Sequence, residues 1–231
     1  MTLSDQDQKT TNGSLLELHD VSVKDIWNVR RLSRLDLMVP PGSAVHVAAD
    51  NPSELNLFMR LLATLEWPHR GRVVYRGEGL SYAWYEGLLP VKRSIGYLYP
   101  TAAMVRNRTI EENLDYQLHY FNDIDPKEHA RRKVELVKAF DIEDVLDRSP
   151  EVAGSLAQRH AIAVREFLKE PTLFLAEYPE EFVVRGRLSS FIGEVRRILS
   201  RGGAFIFGSN YRGLGRELDP VELVLKGGKI L

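Results

Sequence analysis

Residues 45–64 read VHVAADNPSELNLFMRLLAT, and the interpretation of the whole chain begins with this stretch. Its first half is apolar and predicts a buried strand. In its second half Leu55, Phe58, Met59 and Leu62 recur at spacings of three and four, which predicts an amphipathic helix. Turn-forming residues separate the two halves. A strand, a tight loop and a helix in this order form the usual cradle for phosphate groups.

The composition limits the kinds of protein to consider. The chain has 231 residues, enough for one large α/β domain or a domain with an added lobe. The net charge of −1 provides no general attraction for nucleic acid, so we expect no nucleic-acid partner. The chain has no cysteine, which excludes disulfides and thiolate metal sites. Its six histidines show no ligand spacing, and we expect no metal site.

The termini and hydropathy predict a soluble chain. No apolar run approaches the roughly 18 residues that span a bilayer. Residues 1–13 are polar, lack the apolar segment of a secretory signal and are predicted to be a disordered tail. Residues 14–231 are predicted to form a single domain. Any association with a membrane is therefore expected to depend on a partner.

Periodicity predicts an α/β fold. Strands are predicted near residues 14–23 and 45–49, and the segments that follow alternate between helix and strand. A block of helices at about 101–165 interrupts this alternation as a lobe. Its first helix, at 109–121, opens with a capping box, and its last, at 155–169, ends before a proline. Alternating strands and helices indicate a wound, mostly parallel sheet.

This order of segments resembles the nucleotide-binding domain of ABC transporters over nearly the whole chain. The segments that carry the resemblance are RLLATLEWPHRGRVVYRG, RSIGYLYP, TIEENL, QRHAIAVREFLKEPTLFLAEYP and VELVLKGGKIL. The resemblance implies a P-loop NTPase-like α/β fold with an N-terminal antiparallel β-subdomain and an inserted α-helical lobe. It also implies which positions correspond to the family's ATP-binding and catalytic motifs.

The phosphate-binding motif GxxxxGK[ST], or Walker A, is degenerate here. Its two glycines, its lysine and its hydroxyl residue correspond to Ala49, Glu54, Leu55 and Asn56. Glu54, together with Asp50, would place carboxylates where phosphates bind, and a like-charge contact at 4 Å costs about 4 kcal/mol at a dielectric near 20. The better interpretation of residues 49–56 is a strand-to-helix turn capped by Asn51 or Ser53.

The positions implied for the Q-loop, the switch and the adenine-stacking aromatic residue also depart from the family pattern. Pro100 stands for the Q-loop glutamine, which removes a ligand for Mg²⁺ and the attacking water. Asn210 stands for the switch histidine and cannot carry the charge of an imidazolium. At the adenine-stacking position Asp25 falls closest, and Trp27 is a candidate.

The positions implied for the signature and Walker B motifs also depart from the family pattern, in ways that weaken ATP binding and hydrolysis. Gly154 and Ser155 survive from the signature, but Leu156 replaces a glycine that must approach a γ-phosphate closely. Glu177 stands for the Mg²⁺-binding aspartate and is the one candidate for a buried carboxylate. Tyr178 stands for the general base, although a phenol of ordinary pKa near 10 is a poor base for water.

The loss of the family's motif residues at all these positions predicts a catalytically inactive ABC-type subunit. Such a pseudo-ATPase would serve as a structural or regulatory component of a membrane transporter complex. No catalytic residue and no cofactor are then expected. One alternative is an ATPase that still binds ATP and Mg²⁺ with non-standard residues, which would need another cation because Arg60 points elsewhere by helical spacing. The other is a scaffold protein without a transporter.

The resemblance implies partners as well. It places a groove for a membrane-spanning permease at Tyr99, Pro100, Thr101, Met104 and Val105, although an ordinary half-buried loop explains this segment equally well. It also implies a dimer face, against either a competent ABC ATPase chain or a second copy of this chain. The expected location is cytoplasmic, on the inner face of a membrane.

Overall fold

The computed structural model describes residues 13–24, 31–81, 85–119 and 124–231. Nearly all of the predicted tail at 1–13 lies outside these residues, and so do both adenine-stacking candidates, Asp25 and Trp27. In the described part of the chain, no helix combines the length and the apolar character needed to cross a membrane.

An antiparallel sheet forms the N-terminal part of the fold, as predicted. Its four strands lie in the order β2-β1-β4-β5. Their bounds are β1 Leu16–Lys24, β2 Arg31–Val39, β4 Arg70–Tyr75 and β5 Glu78–Gly79. Gly71, at φ +80°, passes so close to a bulge in β1 that an added Cβ would lie 2.4 Å from the Asp20 carbonyl oxygen. Only glycine fits there.

A six-stranded sheet forms the centre of the molecule, in the order β10-β9-β3-β8-β7-β6. Its strands are β3 Ala44–Ala49, β6 Ile95–Leu98, β7 Leu173–Glu177, β8 Ala204–Gly208, β9 Val221–Lys226 and β10 Lys229–Ile230. Neighbouring strands run parallel except β10, which pairs antiparallel with β9. The mostly parallel sheet that the sequence predicts is therefore confirmed. Its parallel strands all end at one edge of the sheet.

Eight helices pack around these sheets in the described residues. They are α1 Pro52–Leu62, α2 Tyr85–Arg93, α3 Ile110–Leu114, α4 Pro126–Phe140, α5 Pro150–Ala153, α6 Ser155–Leu168, α7 Leu188–Ser200 and α8 Arg212–Leu218. The helices α3 to α6 form the lobe. Sequence patterns did not predict α2, which contains Pro90, or α8, which contains two glycines.

Local capping explains where two helices begin. Asn51 caps α1, and its side chain accepts a hydrogen bond from the Ser53 amide at 2.9 Å. The predicted capping box of Thr109 and Glu112 opens α3. The predicted helix at 109–121 was too long, since α3 ends at Leu114 and a 3₁₀ turn, Tyr116–His119, follows it.

Two apolar cores hold the fold together. One lies between the antiparallel sheet, α1 and the central sheet, and the other lies between the central sheet, the helical lobe and α7. A row of phenylalanine rings crosses the second core, with successive centroids 4.7 to 6.1 Å apart. These cores fix the strand ends at which the candidate site lies.

Candidate functional site

The candidate site lies where β3, β7 and β8 end and α1 begins. This is the edge at which α/β sheets of this kind bind ligands. The turn between β3 and α1 brings Leu55 and Asn56 under the ends of β7 and β8. Ala49, the first of the four positions that the resemblance assigns to the Walker A motif, is half-buried at the end of β3.

Leu55 fills the space beneath the turn. Its side chain is 2% exposed, and it contacts Gly208 so closely that an added Cβ there would lie 2.4 Å from Leu55 Cδ2. A phosphate-binding lysine needs an ammonium group that reaches outward to the ligand. Leu55 is instead part of the apolar core.

Glu177 is held by two side chains from neighbouring elements. Asn56 Nδ2 lies 3.1 and 3.2 Å from its two carboxylate oxygens, and the Tyr97 hydroxyl donates to Oε1. Glu177 is 2% exposed, and burial raises its pKa although both hydrogen bonds oppose that shift. Burial and the neighbouring carboxylate also raise the pKa of Tyr97 far above its ordinary value. Sequence analysis did not identify Tyr97 as a partner of Glu177.

The carboxylates of the turn face hydrogen-bond donors at the β9–β10 hairpin. Glu54 Oε2 accepts a hydrogen bond from the Gly228 amide at 3.1 Å. Asp50 forms an exposed ion pair with Lys226 at 3.2 Å. Arg60 pairs with Glu66 at 2.9 Å, and its positive charge also lowers the pKa of Glu177, although burial outweighs this effect. The turn therefore carries two carboxylates that contact the β9–β10 hairpin.

Tyr178 follows β7 with backbone φ +52°, in the left-handed region. Its amide donates to the Gly208 carbonyl at 2.8 Å, which ties the end of β7 to the end of β8. Burial and the neighbouring Glu177 raise the pKa of the Tyr178 hydroxyl. This direction makes it a still weaker base than an ordinary phenol.

The loop that contains Asn210 is held from two sides. Glu180 accepts hydrogen bonds from the Asn210 amide at 2.9 Å and from the Ser209 hydroxyl at 2.8 Å. His46 Nε2 lies 3.1 Å from the Ser209 carbonyl oxygen, and its Nδ1 lies 2.8 Å from Glu222. Sequence analysis did not identify Glu180 or His46, because these contacts depend on how three strands pack side by side.

The signature positions lie at the start of α6. Gly154 is exposed with φ +85°, Ser155 begins the helix, and Leu156 is 48% exposed. Arg159, one turn further, donates to the Glu181 carbonyl at 2.6 Å. This contact places the start of α6 beside the turn that follows β7.

The segment predicted to bind a permease is partly buried. Pro100, Thr101 and Val105 are exposed. Tyr99 is half-buried with its ring 4.9 Å from that of Tyr97. Met104 is 7% exposed and belongs to the second core, between the central sheet and the helical lobe. The structure therefore makes it a core residue rather than the surface contact that was expected. An apolar residue in a loop gives no periodic signal that would distinguish a core residue from a docking residue.

Glu177 is not the single buried carboxylate. Glu166 on α6 is 3% exposed and accepts a hydrogen bond from the Tyr97 amide at 3.2 Å. Burial opposes its ionisation, but Lys169 and Arg165 hold the pKa of Glu166 below its ordinary value. The prediction failed because Glu166 lies on a helix face that is otherwise apolar, and part of its stabilisation comes from the Tyr97 amide on β6. In the residues that the structure describes, no group of three or more metal-ligating side chains converges.

The relatives and structural neighbours of this chain are named as ATP-binding proteins or cassettes of transporters. The Fe(3+) ions import ATP-binding protein FbpC of Yersinia pestis is 30% identical over 171 residues, 72% of this chain and 46% of that protein. The probable sulfate/thiosulfate import ATP-binding protein CysA of Chlorella vulgaris is 26% identical, covering 90% of this chain and 86% of that protein. No family model matches the chain.

The solved structures give the fold. An ATP-binding subunit of an ABC transporter superposes with a TM-score of 0.82 at 20% identity, covering 94% of this chain and 88% of that one. This chain has the fold of an ABC transporter ATP-binding domain. A dimeric bacterial ABC transporter cassette superposes on this chain with a TM-score of 0.81 at 16% identity, covering 93% of this chain and 96% of that one. This chain spans about half the length of two of its relatives: 46% of FbpC and 58% of the sulfate/thiosulfate import ATP-binding protein CysA of Caulobacter vibrioides.

Proposed function

We propose that the chain is a non-hydrolysing ABC-type subunit that acts as a structural or regulatory component of a transporter complex. The observation that carries the proposal is the position of Leu55. An apolar side chain, 2% exposed, stands where ATP hydrolysis requires a lysine at the phosphates. A buried leucine supplies neither charge nor a hydrogen bond.

The surrounding side chains support the same proposal. Asn56 and Tyr97 bond to Glu177 and so use the carboxylate that would otherwise bind Mg²⁺. Glu54 lies at the mouth of the site and would repel a phosphate. Hydrolysis of ATP depends on positioned positive charge at several points. Leu55 supplies none, and Glu54 adds charge of the wrong sign.

The relatives suggest the setting in which such a subunit works. They are named as ATP-binding proteins of Fe(3+) and sulfate/thiosulfate import. We propose by analogy that this chain docks on a membrane-spanning permease, through the exposed residues Pro100, Thr101 and Val105. We further propose that a competent ABC ATPase chain, or a second copy of this chain, forms the other half of a dimer.

The first test is binding of Mg²⁺-ATP to the purified chain by calorimetry, up to millimolar nucleotide. We expect no saturable heat. A designed control is the triple variant Glu54→Gly, Leu55→Lys and Asn56→Ser, which restores lysine, glycine and hydroxyl together. If the triple variant binds nucleotide weakly and the natural chain does not, the residues of the turn account for the lost nucleotide binding. Saturable binding by the natural chain would overturn the proposal, and hydrolysis would establish the ATPase alternative.

A second test concerns assembly. The tagged chain should co-purify from membranes with a permease. Recovery free of any membrane protein, from cells that express it at natural levels, would instead support a scaffold without a transporter.

A further inference from the structure

His46 lies on β3 beside residues 209–211, which join β8 to α8 and are called the β8–α8 loop below. In the sheet register His46 stands opposite Phe207 of β8 and Glu222 of β9. Its ring centroid lies 5.0 Å from that of the buried Phe207. The His46 side chain is 21% exposed, and that of Glu222 is 61% exposed. The imidazole therefore lies at the boundary between the core and water, next to the candidate site.

Both ring nitrogens of His46 face groups that accept hydrogen bonds. Nδ1 lies 2.8 Å from the Glu222 carboxylate, and Nε2 lies 3.1 Å from the Ser209 carbonyl oxygen. A neutral imidazole carries hydrogen on one nitrogen, so it can donate to one of these acceptors but not to both. Turning the ring over would place carbon atoms at both contacts. The two distances together match an imidazolium, which donates from both nitrogens.

The two hydrogen bonds differ in strength, and this difference decides which one is lost when the ring becomes neutral. A hydrogen bond to a carboxylate is roughly twice as strong as one between neutral groups. We therefore expect the single hydrogen of a neutral ring to stay on Nδ1, facing Glu222. Nε2 then presents a lone pair to the Ser209 carbonyl oxygen. Because two acceptors repel each other, the contact between β3 and the β8–α8 loop is lost.

The charged groups on the strands around His46 are directed elsewhere, apart from Glu222. Further along β9, Lys226 forms an ion pair with Asp50 at 3.2 Å. On the side of β8 the ring faces the aromatic side chain of Phe207 rather than a charge. The helix α1 packs in the first core, against the opposite face of β3. Glu222 is therefore the charged partner of the ring.

The other hydrogen bonds of the β8–α8 loop come from groups of a different kind. Glu180 accepts from the Ser209 hydroxyl at 2.8 Å and from the Asn210 amide at 2.9 Å. The Tyr178 amide donates to the Gly208 carbonyl just before the loop. Histidine is the side chain whose charge ordinarily changes between about pH 5 and pH 8. A change of pH in that range would therefore act on the loop through its bond to β3.

We propose that His46 and Glu222 together make the position of the β8–α8 loop sensitive to pH. The imidazolium holds the loop to β3 through the Ser209 carbonyl, and loss of the Nε2 hydrogen releases it. Because the loop lies at the edge of the candidate site, the proton concentration changes the shape of that edge. This inference concerns hydrogen bonds within the chain and does not depend on whether the chain binds or hydrolyses ATP.

The test is a pH titration of the full chain, labelled with ¹³C and ¹⁵N, by NMR from about pH 5.5 to about pH 8.5. It follows the two ring nitrogens of His46 and the carbonyl carbon of Ser209. We expect both nitrogens to carry hydrogen at the acid end. As the pH rises, Nε2 should lose its hydrogen while Nδ1 keeps its own. The Ser209 carbonyl signal should shift with the same midpoint.

Glu222→Gln distinguishes this arrangement from an ordinary titrating histidine. The glutamine amide can donate to Nδ1, so a neutral ring can keep its one hydrogen on Nε2 and bond to Ser209. We expect Nε2 to retain its hydrogen, and the Ser209 carbonyl signal to change little, over the whole pH range. The matched control is Glu78→Gln, which removes the same charge from an exposed position on β5 and should titrate like the natural chain.

Two further histidines complete the experiment. The exposed His69 is observed in the same spectra, and the Ser209 signal should not follow it. His46→Phe removes both donors and should abolish the pH response of Ser209, which keeps the proposal testable if Glu222→Gln fails to fold. Thermal unfolding of each variant identifies any such failure.

Three results would overturn the proposal. The first is a His46 Nδ1 without hydrogen at about pH 5.5, which would mean that the ring is not an imidazolium there. The second is a Ser209 carbonyl signal that does not follow His46 in the natural chain. The third is the same pH response in Glu222→Gln as in the natural chain.

Discussion

Leu55 and Glu177 together explain the chemistry of the candidate site at the scale of single residues. One is an apolar side chain in a position suited to a cation, and the other is an acid kept from solvent by Asn56 and Tyr97. Both are fixed by packing rather than by a ligand. Each can therefore be tested through the stability of the chain alone.

We predict that Leu55→Ala lowers the free energy of unfolding by roughly 2 to 5 kcal/mol, because it leaves a cavity against Gly208. Urea denaturation measures the change. The control Leu65→Ala removes a side chain that is 45% exposed and should cost much less. A loss below about 0.5 kcal/mol for Leu55→Ala would mean that the side chain is not part of the core.

We predict that Glu177→Gln gains stability relative to the natural chain as the pH rises. Burial raises the pKa of Glu177 in the folded state, so its favourable contribution is complete below the unfolded pKa. That contribution is lost as the pH rises through the folded pKa. Glutamine does not ionise. Unfolding by urea at about pH 4 and about pH 7 measures the difference.

The matched control is Glu151→Gln, an exposed carboxylate whose side chain is 71% accessible. Its stability difference from the natural chain should stay nearly constant over the same pH range. A constant difference for Glu177→Gln as well would contradict the assignment of Glu177 as a buried acid of raised pKa.

At the scale of elements, the ends of β7 and β8 are joined by contacts that need no nucleotide. Tyr178 bonds across to Gly208, and Glu180 holds Ser209 and Asn210. A loop that responded to a γ-phosphate would need to be free to move with the ligand. In this chain, protein side chains already satisfy its polar groups.

We predict that Glu180→Ala speeds hydrogen exchange at the Asn210 amide, because this substitution removes its acceptor. Exchange measured by NMR at fixed pH should rise at Asn210 and leave the core amides of β8 unchanged. Glu181→Ala is the control, since its carboxylate is exposed in the same turn. Equal protection at Asn210 in both variants would contradict the role assigned to Glu180.

At the scale of the whole molecule, the acidic turn at Asp50 and Glu54 bears on assembly. In the proposed dimer, a nucleotide between two chains would lie against this turn in one chain and against the start of α6 in the other. The first presents carboxylates, and the second presents the exposed side chain of Leu156. Neither surface favours a triphosphate.

We predict that Mg²⁺-ATP does not change the oligomeric state of the purified chain, as measured by size-exclusion chromatography with light scattering. The triple variant that restores the Walker A residues serves as the comparison. Dimer formation by the natural chain on addition of nucleotide would show that the surfaces still bind ATP between them.

Much of the fold could be predicted, but less of the site. Periodicity predicted the parallel sheet and the helical lobe, since apolar repeats report which face of an element is buried. It missed α2 and α8, where Pro90 and two glycines oppose helix formation and tertiary contacts override that local preference. The family resemblance placed Met104 at a partner surface, and periodicity could not correct this, because an apolar residue in a loop gives no periodic signal.

The sequence by itself determined the alternation of the main strands and helices, the capping box at Thr109, and the absence of a lysine from the turn between β3 and α1, while it left the cap of α1 open between Asn51 and Ser53. These depend on residue type and on neighbours a few positions away. Only the tertiary structure decided that Tyr97 and Asn56 hold Glu177, and that Glu180 holds the Asn210 amide. The physical reason is that such contacts join residues far apart in the chain, and the packing of the sheet determines which of them meet.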